Sequence, residues 1–378
     1  MSALRLHGLD ISYFTGKVQA YLRAKGLAYE LIEMDTRDFR RCARQTGVAQ
    51  MPQLELADGS WLTDSTAMIE HFERTCPEPV LRPSGHALCF IAQLLEDFGD
   101  AWLWRPAMYY RWAFGPDAAR ASEHLARGFM RDVPLPMPLR RFYIRLRQRR
   151  LFLKGEGVTH ATAPVIEALY LDLLAAMQTA LTSNPFVLGQ RPTQADFGLF
   201  GSMFRHFSSD PTPVRILRER APAVLEWVAR VWNLQPLQFA DSPQPEALSP
   251  GLDPLLAMVC ADYLPALAAN EVAHQQGGRL ASWRCRGVAF SVPVNPYQLH
   301  CLQQLRWRYQ ALPDPEREQV NRWLRRCNAA QGATAAALLA DARAMVSAAT
   351  PALRKQHRLP RAFGPGADGV ASLSRQWR

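Results

Sequence analysis

The sequence predicts an α+β protein: an N-terminal α/β domain, then an all-helical domain, then a mostly helical C-terminal extension. Three observations support this prediction. Residues 1–78 mix strand-like and helical patterns, whereas residues 85–236 show helical periodicity alone. A stretch rich in Pro and Ser at 237–252 then separates a further segment. With 378 residues, the chain is long enough for two or three structural units.

The N-terminal domain is predicted from its alternating elements. Residues 4–8 alternate as a strand does and end at Gly8. Asp64 and Ser65 are good N-cap residues in front of an apolar-periodic run. The elements expected are a strand at 4–8, a helix at about 15–25, a strand at 28–34, a helix at about 37–46, a strand at 50–56, a turn at 58–59, a return strand through 61–62 and a helix at 64–74.

The rest of the chain is predicted to be mostly helical. Thr193 and Asp196 have the spacing of an N-terminal capping box. In the helical domain we expect helices at 86–114, 117–130, 138–150, 161–183, 194–206, 212–219 and 222–235. In the extension, 250–350, we expect helices at 254–273, 295–311, 314–327 and 333–348, a short hairpin at 279–292, and then a basic flexible tail at 351–378.

Composition narrows the class of protein. The seven cysteines are dispersed and form no CxxC pair, which favours free thiols, a cytoplasmic location and no metal site. No run approaches about 18 uninterrupted apolar residues, so no transmembrane segment is expected. The net charge of +10 comes mainly from arginines spread along the chain, without a nucleic-acid-binding motif. We therefore expect no nucleic-acid partner.

Three motifs stand out in the sequence. The first is Gln50-Met51-Pro52-Gln53-Leu54, in which a proline stands at the start of a predicted strand. The second is Asp64-Ser65 at a helix start, where free backbone amides and the helix dipole favour a bound carboxylate. The third is the capping box from Thr193 to Asp196, which concerns folding.

With these motifs, the chain resembles the cytosolic glutathione S-transferase superfamily over residues 1 to about 236. The resemblance implies a thioredoxin-like N-terminal domain that binds glutathione as co-substrate. It implies a cis peptide bond before Pro52, for which an ordinary trans proline at a strand start is the alternative. It also implies that Gln50, Met51 and Pro52 hold the cysteinyl backbone of glutathione. It further implies that Ser65 holds the γ-glutamyl carboxylate and that Asp64 pairs with the γ-glutamyl amino group. A homodimer is also expected from the resemblance.

The resemblance places Ser12 at the reactive position, five residues before the basic residue Lys17. Gly8 stands where tyrosine-type members carry their catalytic residue. A serine hydroxyl cannot form a mixed disulfide, but it can stabilise a glutathione thiolate by hydrogen bonding. Tyr13 and Thr15 are alternative donors. The remaining alternative is that Ser12 is a loop or cap residue of a non-catalytic domain.

A second substrate, a small hydrophobic electrophile, is expected between the two domains. The first helix of the helical domain is unusually aromatic, and we predict that Trp102, Tyr109 and Tyr110 line this pocket. Packing in the core is the alternative for each of them. Glu96, Asp97 and Asp100 on the same helix either line the cleft or pair with basic residues. On the basic helix at 138–150, the apolar side chains are expected to pack inward.

The sequence thus leaves two functions open. The first is a glutathione transferase in which the thiolate attacks a hydrophobic electrophile, as in detoxification. The second is a non-catalytic glutathione-binding or protein-interaction module built on the same scaffold.

Overall fold

The computed structural model describes residues 4–341, so the predicted tail at 351–378 lies outside the described residues. Within this range the chain forms an N-terminal α/β unit, a helical block and a C-terminal segment. The N-terminal elements are β1 (Leu4–Gly8), α1 (Tyr13–Ala24), β2 (Tyr29–Glu33), α2 (Thr36–Thr46), β3 (Gln53–Glu55), β4 (Trp61–Thr63) and α3 (Ser65–Thr75).

These four strands form one mixed sheet in the order β2-β1-β3-β4. β1 runs parallel to β2 and antiparallel to β3, with Leu6 opposite both Leu31 and Leu54. Leu6 and Leu54 are fully buried because the sheet is covered by helices. The arrangement brings the loop after β1, the turn before β3 and the start of α3 to one edge of the sheet, which positions the site described below.

The helical block follows the predicted periodicity, with one important difference. Its helices are α4 (His86–Asp97), α5 (Trp104–Ala113), α6 (Gly115–Arg127), α7 (Met137–Gln148), α8 (Ala163–Ser183), α9 (Gln194–Ser202), α10 (Pro211–Arg220) and α11 (Pro222–Trp232). The predicted single helix at 86–114 is interrupted by a π-helical turn over Phe98–Trp102. A π-turn adds a residue to one turn and so rotates the side chains that follow.

The capping box of α9 is present as predicted. Asp196 Oδ2 accepts the Thr193 amide at 2.9 Å. Asp196 Oδ1 also accepts the Trp227 indole N–H at 2.9 Å, so that a single buried carboxylate ties the start of α9 to α11. The seven cysteines, all of which lie among the described residues, are free thiols as expected.

The C-terminal segment, defined here as residues 253–340, packs on the helical block. It comprises α12 (Asp253–Met258), α13 (Leu264–Gln275), β5 (Leu280–Cys285), β6 (Val288–Pro293), α14 (Pro296–Gln310), α15 (Asp314–Cys327) and α16 (Ala329–Ala340). The predicted hairpin is confirmed, with Arg286 and Gly287 at positive φ in its turn. Glu316 of α15 accepts the Ala87 amide at 2.8 Å in the first turn of α4. Side chains of this segment continue the main hydrophobic core.

The basic helix α7 differs from the prediction that its apolar side chains pack inward. Ile144 is buried, whereas Leu139, Phe142 and Leu146 are more than half exposed. Leu139, Phe142 and Leu146 have the i, i+3, i+7 spacing of one helix face, whereas Ile144 lies on another face, and only the face with Ile144 packs inward.

In the part of the chain that the structure describes, two helical stretches are long and apolar enough, by length and composition, to cross a membrane: Ala163–Ser183 and Pro250–Gln275. More than half of each apolar window is buried inside the protein, at 56% and 61% respectively. The core helices of soluble proteins have the same properties, so these stretches are weak evidence for a membrane span.

Candidate functional site

A cleft of about 510 Å³ lies between the edge of the sheet and the helical block. It brings together Ser12, Met51, Pro52, Asp64 and Ser65, which the sequence had placed in one site from three separate segments. Gln50 lies on the same wall. Much of the remaining lining is apolar: Ile11, Phe14, Trp104, Met108, Trp112 and Ile144 are among its members.

Ser12 is the N-cap of α1, with extended backbone angles and its hydroxyl oxygen 3.4 Å from the Thr15 amide. The loop that holds it is fixed from the helical block. Arg111 of α5 donates from Nη1 to the Ile11 carbonyl at 3.0 Å, and its Nε donates to Asp210 at 2.7 Å. No local sequence pattern singles out Arg111, because its contact partners are about 100 residues away in both directions.

The structure separates the three hydroxyls considered for the reactive position. The Tyr13 hydroxyl is buried and donates to the Gly99 carbonyl, and burial raises the Tyr13 pKa well above its usual value. The Thr15 side chain is fully buried against Gly8, where a Cβ would lie 2.4 Å from Thr15 Oγ1. Of these three residues, only Ser12 presents a half-buried side chain to the cleft.

The turn before β3 and the start of α3 form the opposite wall. The Met51–Pro52 peptide bond is cis, as predicted. Asp64 caps α3, and its Oδ1 accepts the amides of Thr66 at 2.9 Å and Ala67 at 3.3 Å. Asp64 adopts φ +73°, a region that favours glycine, so its backbone is strained in order to hold this carboxylate. Ser65 is 6% exposed at the first residue of the helix.

A buried charge cluster lies behind this wall. Lys17 is fully buried, and its ammonium donates to Glu96 Oε1 at 2.6 Å and to Asp100 Oδ2 at 2.5 Å. Burial raises the pKa of Asp100 above its usual value, against the attraction of Lys17. Lys17, predicted only as a marker for the position of Ser12, therefore joins α1 to the helical block by an ion cluster.

The aromatic wall of the cleft differs from the prediction. Trp102 packs against Tyr263 in the core, and Tyr109 donates to Glu167 Oε1 at 2.5 Å on another side of the helix. Tyr110 stacks on Phe114. None of the three predicted pocket residues, Trp102, Tyr109 and Tyr110, lines the cleft. The π-turn shifts the phase of the helix, so that Trp104, Met108 and Trp112 face the cleft instead.

The C-terminal segment also contributes to the cleft, which the sequence analysis did not predict. Asn295, Tyr297 and Gln298 line it at the start of α14. The Tyr297 hydroxyl donates to Asp64 Oδ2 at 2.8 Å. Because 233 residues separate this pair, no local sequence signal reports the contact.

Within residues 4–341, two groups of side chains have an arrangement that could hold a metal ion, namely His7, Asp38 and Cys42, and Asp10, Glu33 and His124. In the first group His7 and Asp38 are already bonded at 2.8 Å, and burial raises the pKa of Cys42 to about 12, which disfavours the thiolate that binds metals. In the second, His124 and Asp10 are bonded at 2.6 Å. We assign a metal to neither.

Comparison with known protein families agrees with this geometry. The family model for the glutathione S-transferase N-terminal domain matches residues 6–80. The model for the glutathione S-transferase C-terminal domain matches residues 145–230. The chain belongs to the glutathione S-transferase superfamily.

Solved glutathione S-transferases are similar to this member of the superfamily. A glutathione S-transferase from Rhodospirillum rubrum F11 is 20% identical, with 67% of this chain and 91% of that chain covered and a TM-score of 0.40. The beta-etherase LigF from Sphingobium sp. strain SYK-6 is 19% identical, with 63% and 98% covered and a TM-score of 0.45. No curated protein matches the chain. The segment from residue 253 onwards lies outside both family models.

Proposed function

We propose that this superfamily member is a glutathione transferase in which the thiolate of glutathione attacks a small hydrophobic electrophile. One observation carries the proposal: Ser12, Met51 and Ser65 line the same cleft, and that cleft continues into an apolar region walled by Trp104 and Trp112. The polar part suits the tripeptide, and the apolar part suits an aryl or alkyl electrophile.

In the proposed reaction, Met51 holds the cysteinyl backbone of glutathione with its own N–H and C=O. Ser65 and the start of α3 hold the γ-glutamyl carboxylate, because a helix N-terminus stabilises a negative charge. The cysteine thiol then lies at Ser12, whose oxygen already accepts the Thr15 amide and whose proton is available to donate to sulfur.

The chemical step balances without a further reactant. The thiol loses its proton to solvent, and the Ser12 hydroxyl stabilises the resulting thiolate. The sulfur lone pair forms an S–C bond to the electrophile, and the bond from that carbon to its leaving group breaks with the electron pair on the leaving group. A serine at this position does not support disulfide exchange, since it cannot form a mixed disulfide.

The test is glutathione binding by calorimetry together with conjugation of a generic aryl halide. Ser12→Ala should retain glutathione and lose turnover by about 100-fold, the usual effect of removing one donor to a developing anion. Ser60→Ala is the matched control, since Ser60 is exposed in the β3–β4 turn and its hydroxyl donates to Asp58 in that turn. Its turnover should equal that of the wild type.

The alternative function gives a different outcome. Glutathione binding without turnover in either wild type or Ser12→Ala would favour a non-catalytic binding module. No retention of glutathione and no turnover would refute the transferase. The homodimer, predicted from the resemblance, and the cytoplasmic location, predicted from the dispersed cysteines, stay predictions, to be checked by sedimentation and by cell fractionation.

A further inference from the structure

One carboxylate in the cleft has an oxygen without a hydrogen-bond partner. Asp100 lies in the π-turn, lines the cleft and is only 8% exposed. Its Oδ2 accepts Lys17, whereas its Oδ1 is buried and has no partner within residues 4–341. A buried acceptor without a donor destabilises the protein, so a ligand that supplies a donor here is favoured.

A second carboxylate, Asp64, lines the same cleft and is joined to Asp100 through Thr66, whose amide donates to Asp64 Oδ1 at 2.9 Å and whose hydroxyl donates to Asp100 Oδ2 at 3.4 Å. Its charge acts on Asp100 and raises the Asp100 pKa. Asp64 Oδ1 is occupied by the amides of α3, and Oδ2 accepts the Tyr297 hydroxyl. Since a carboxylate oxygen accepts more than one hydrogen bond, Oδ2 can receive a further donor while Tyr297 holds it in place.

Acidic groups outnumber basic ones among the side chains at this end of the cleft. Asp64, Glu96 and Asp100 supply three carboxyl groups, and Lys17 is the cation hydrogen-bonded to two of them. Tyr297 is neutral, because burial and the two aspartates raise its pKa well above its usual value. The group that fits is therefore small, cationic and rich in N–H donors, which describes a primary ammonium.

The position of Tyr297 is fixed by the fold of the C-terminal segment. The buried Asn270 of α13 donates to the Asn295 carbonyl at 2.9 Å and accepts the Asn295 amide at 2.8 Å. The Asn295 side chain in turn accepts the Tyr297 amide at 2.9 Å. These bonds hold the start of α14 against the cleft, so the phenol reaches Asp64 as part of a fixed wall.

We propose that Asp100 and Tyr297, together with Asp64, bind the primary ammonium of the γ-glutamyl group, so that the C-terminal segment completes the glutathione site within the same chain. Asp64 and Asp100 contact the ammonium, and Tyr297 positions the Asp64 carboxylate and closes that end of the cleft. The identity of the ligand rests on the proposed function, whereas the ammonium chemistry rests on these three side chains.

The test compares glutathione with a deaminated glutathione that lacks the α-amino group, by calorimetry on the full chain. Wild type should bind glutathione at least about tenfold more tightly than the deaminated analogue. Tyr297→Phe should lose roughly tenfold in affinity for glutathione, the scale of one hydrogen bond to a charged group, while its affinity for the analogue stays unchanged. Asp100→Asn should reduce the same discrimination.

Tyr309→Phe is the matched control. Tyr309 lies on the same helix and donates to Asn321 at 2.6 Å, away from the cleft. This variant should bind both ligands as the wild type does. Equal or tighter glutathione binding by Tyr297→Phe, or an equal loss for both ligands, overturns the inference while leaving the transferase proposal in place. Absence of glutathione binding by the wild type overturns both.

Discussion

Replacing Lys17 by Met should be among the most damaging single changes in the N-terminal domain. The methionine fills a similar volume but leaves Glu96 and Asp100 without their ammonium in a site where all three side chains are at most 8% exposed. Breaking a buried ion pair by removing one partner costs about 3–5 kcal/mol. We expect the free energy of unfolding at pH 7 to fall by that amount.

The cost of protonating a buried carboxylate gives a second, independent value for the loss in unfolding free energy. The native variant can avoid a buried unpaired carboxylate by taking up one proton. Protonating a carboxyl with an ordinary pKa near 4 costs about 4 kcal/mol at pH 7, at 1.36 kcal/mol for each pH unit. The folded state of Lys17→Met then binds one more proton than its unfolded state, so lowering the pH stabilises the folded state. The penalty should therefore shrink by about 2.7 kcal/mol between pH 7 and pH 5.

Urea unfolding followed by tryptophan fluorescence at both pH values measures this effect. Lys154→Met is the control, since Lys154 is exposed, and its free energy of unfolding should change by less than about 0.5 kcal/mol. A Lys17→Met variant within about 1 kcal/mol of the wild type at pH 7, or one with the same penalty at both pH values, would refute the reasoning.

Three further predictions concern packing, pH and docking of the C-terminal segment. Gly99→Ala places a Cβ 2.6 Å from the Gly198 backbone and should lower the free energy of unfolding by at least about 1–3 kcal/mol. Gly115→Ala is the control, because its Cβ meets open space. Equal melting temperatures for the two variants would contradict this prediction. Burial holds the pKa of His206 well below its usual value, so only the unfolded state is protonated below about pH 6.5. The free energy of unfolding of the wild type should therefore fall by about 1.4 kcal/mol for each unit by which the pH is lowered below about 6.5. His206→Gln should show a smaller fall over the same range, and an equal dependence of unfolding free energy on pH in the two proteins would refute this. Glu316→Ala removes an acceptor at the start of α4 and should cost about 0.5–2 kcal/mol in urea unfolding; no change would mean that this bond is not formed in solution.

Short local sequence patterns were sufficient to predict the helices and strands and several residues of the site. Asp64-Ser65 and the Thr193 to Asp196 box are N-terminal signals written into a few adjacent residues, and both open helices in the structure. The hairpin turn at Arg286-Gly287 is equally local. Such signals survive without tertiary information because their hydrogen bonds close within three or four residues.

The face of α5 that lines the cleft was decided by tertiary structure. Sequence periodicity assumes 3.6 residues per turn throughout, and the π-turn at Phe98–Trp102 breaks that assumption. The predicted Trp102, Tyr109 and Tyr110 are therefore core residues, and Trp104 and Trp112 occupy the wall.

By itself, the sequence determined the α+β architecture and the helix starts at Asp64-Ser65 and Thr193, and its resemblance to the superfamily predicted the cis bond before Pro52 and a shared site for Ser12, Met51 and Ser65. Tertiary structure alone decided that Lys17 is buried between Glu96 and Asp100, and that Tyr297 reaches Asp64 across 233 residues. The reason is physical: a cap or turn is closed by its neighbours, whereas a charge cluster or a cleft wall depends on which distant helices pack together.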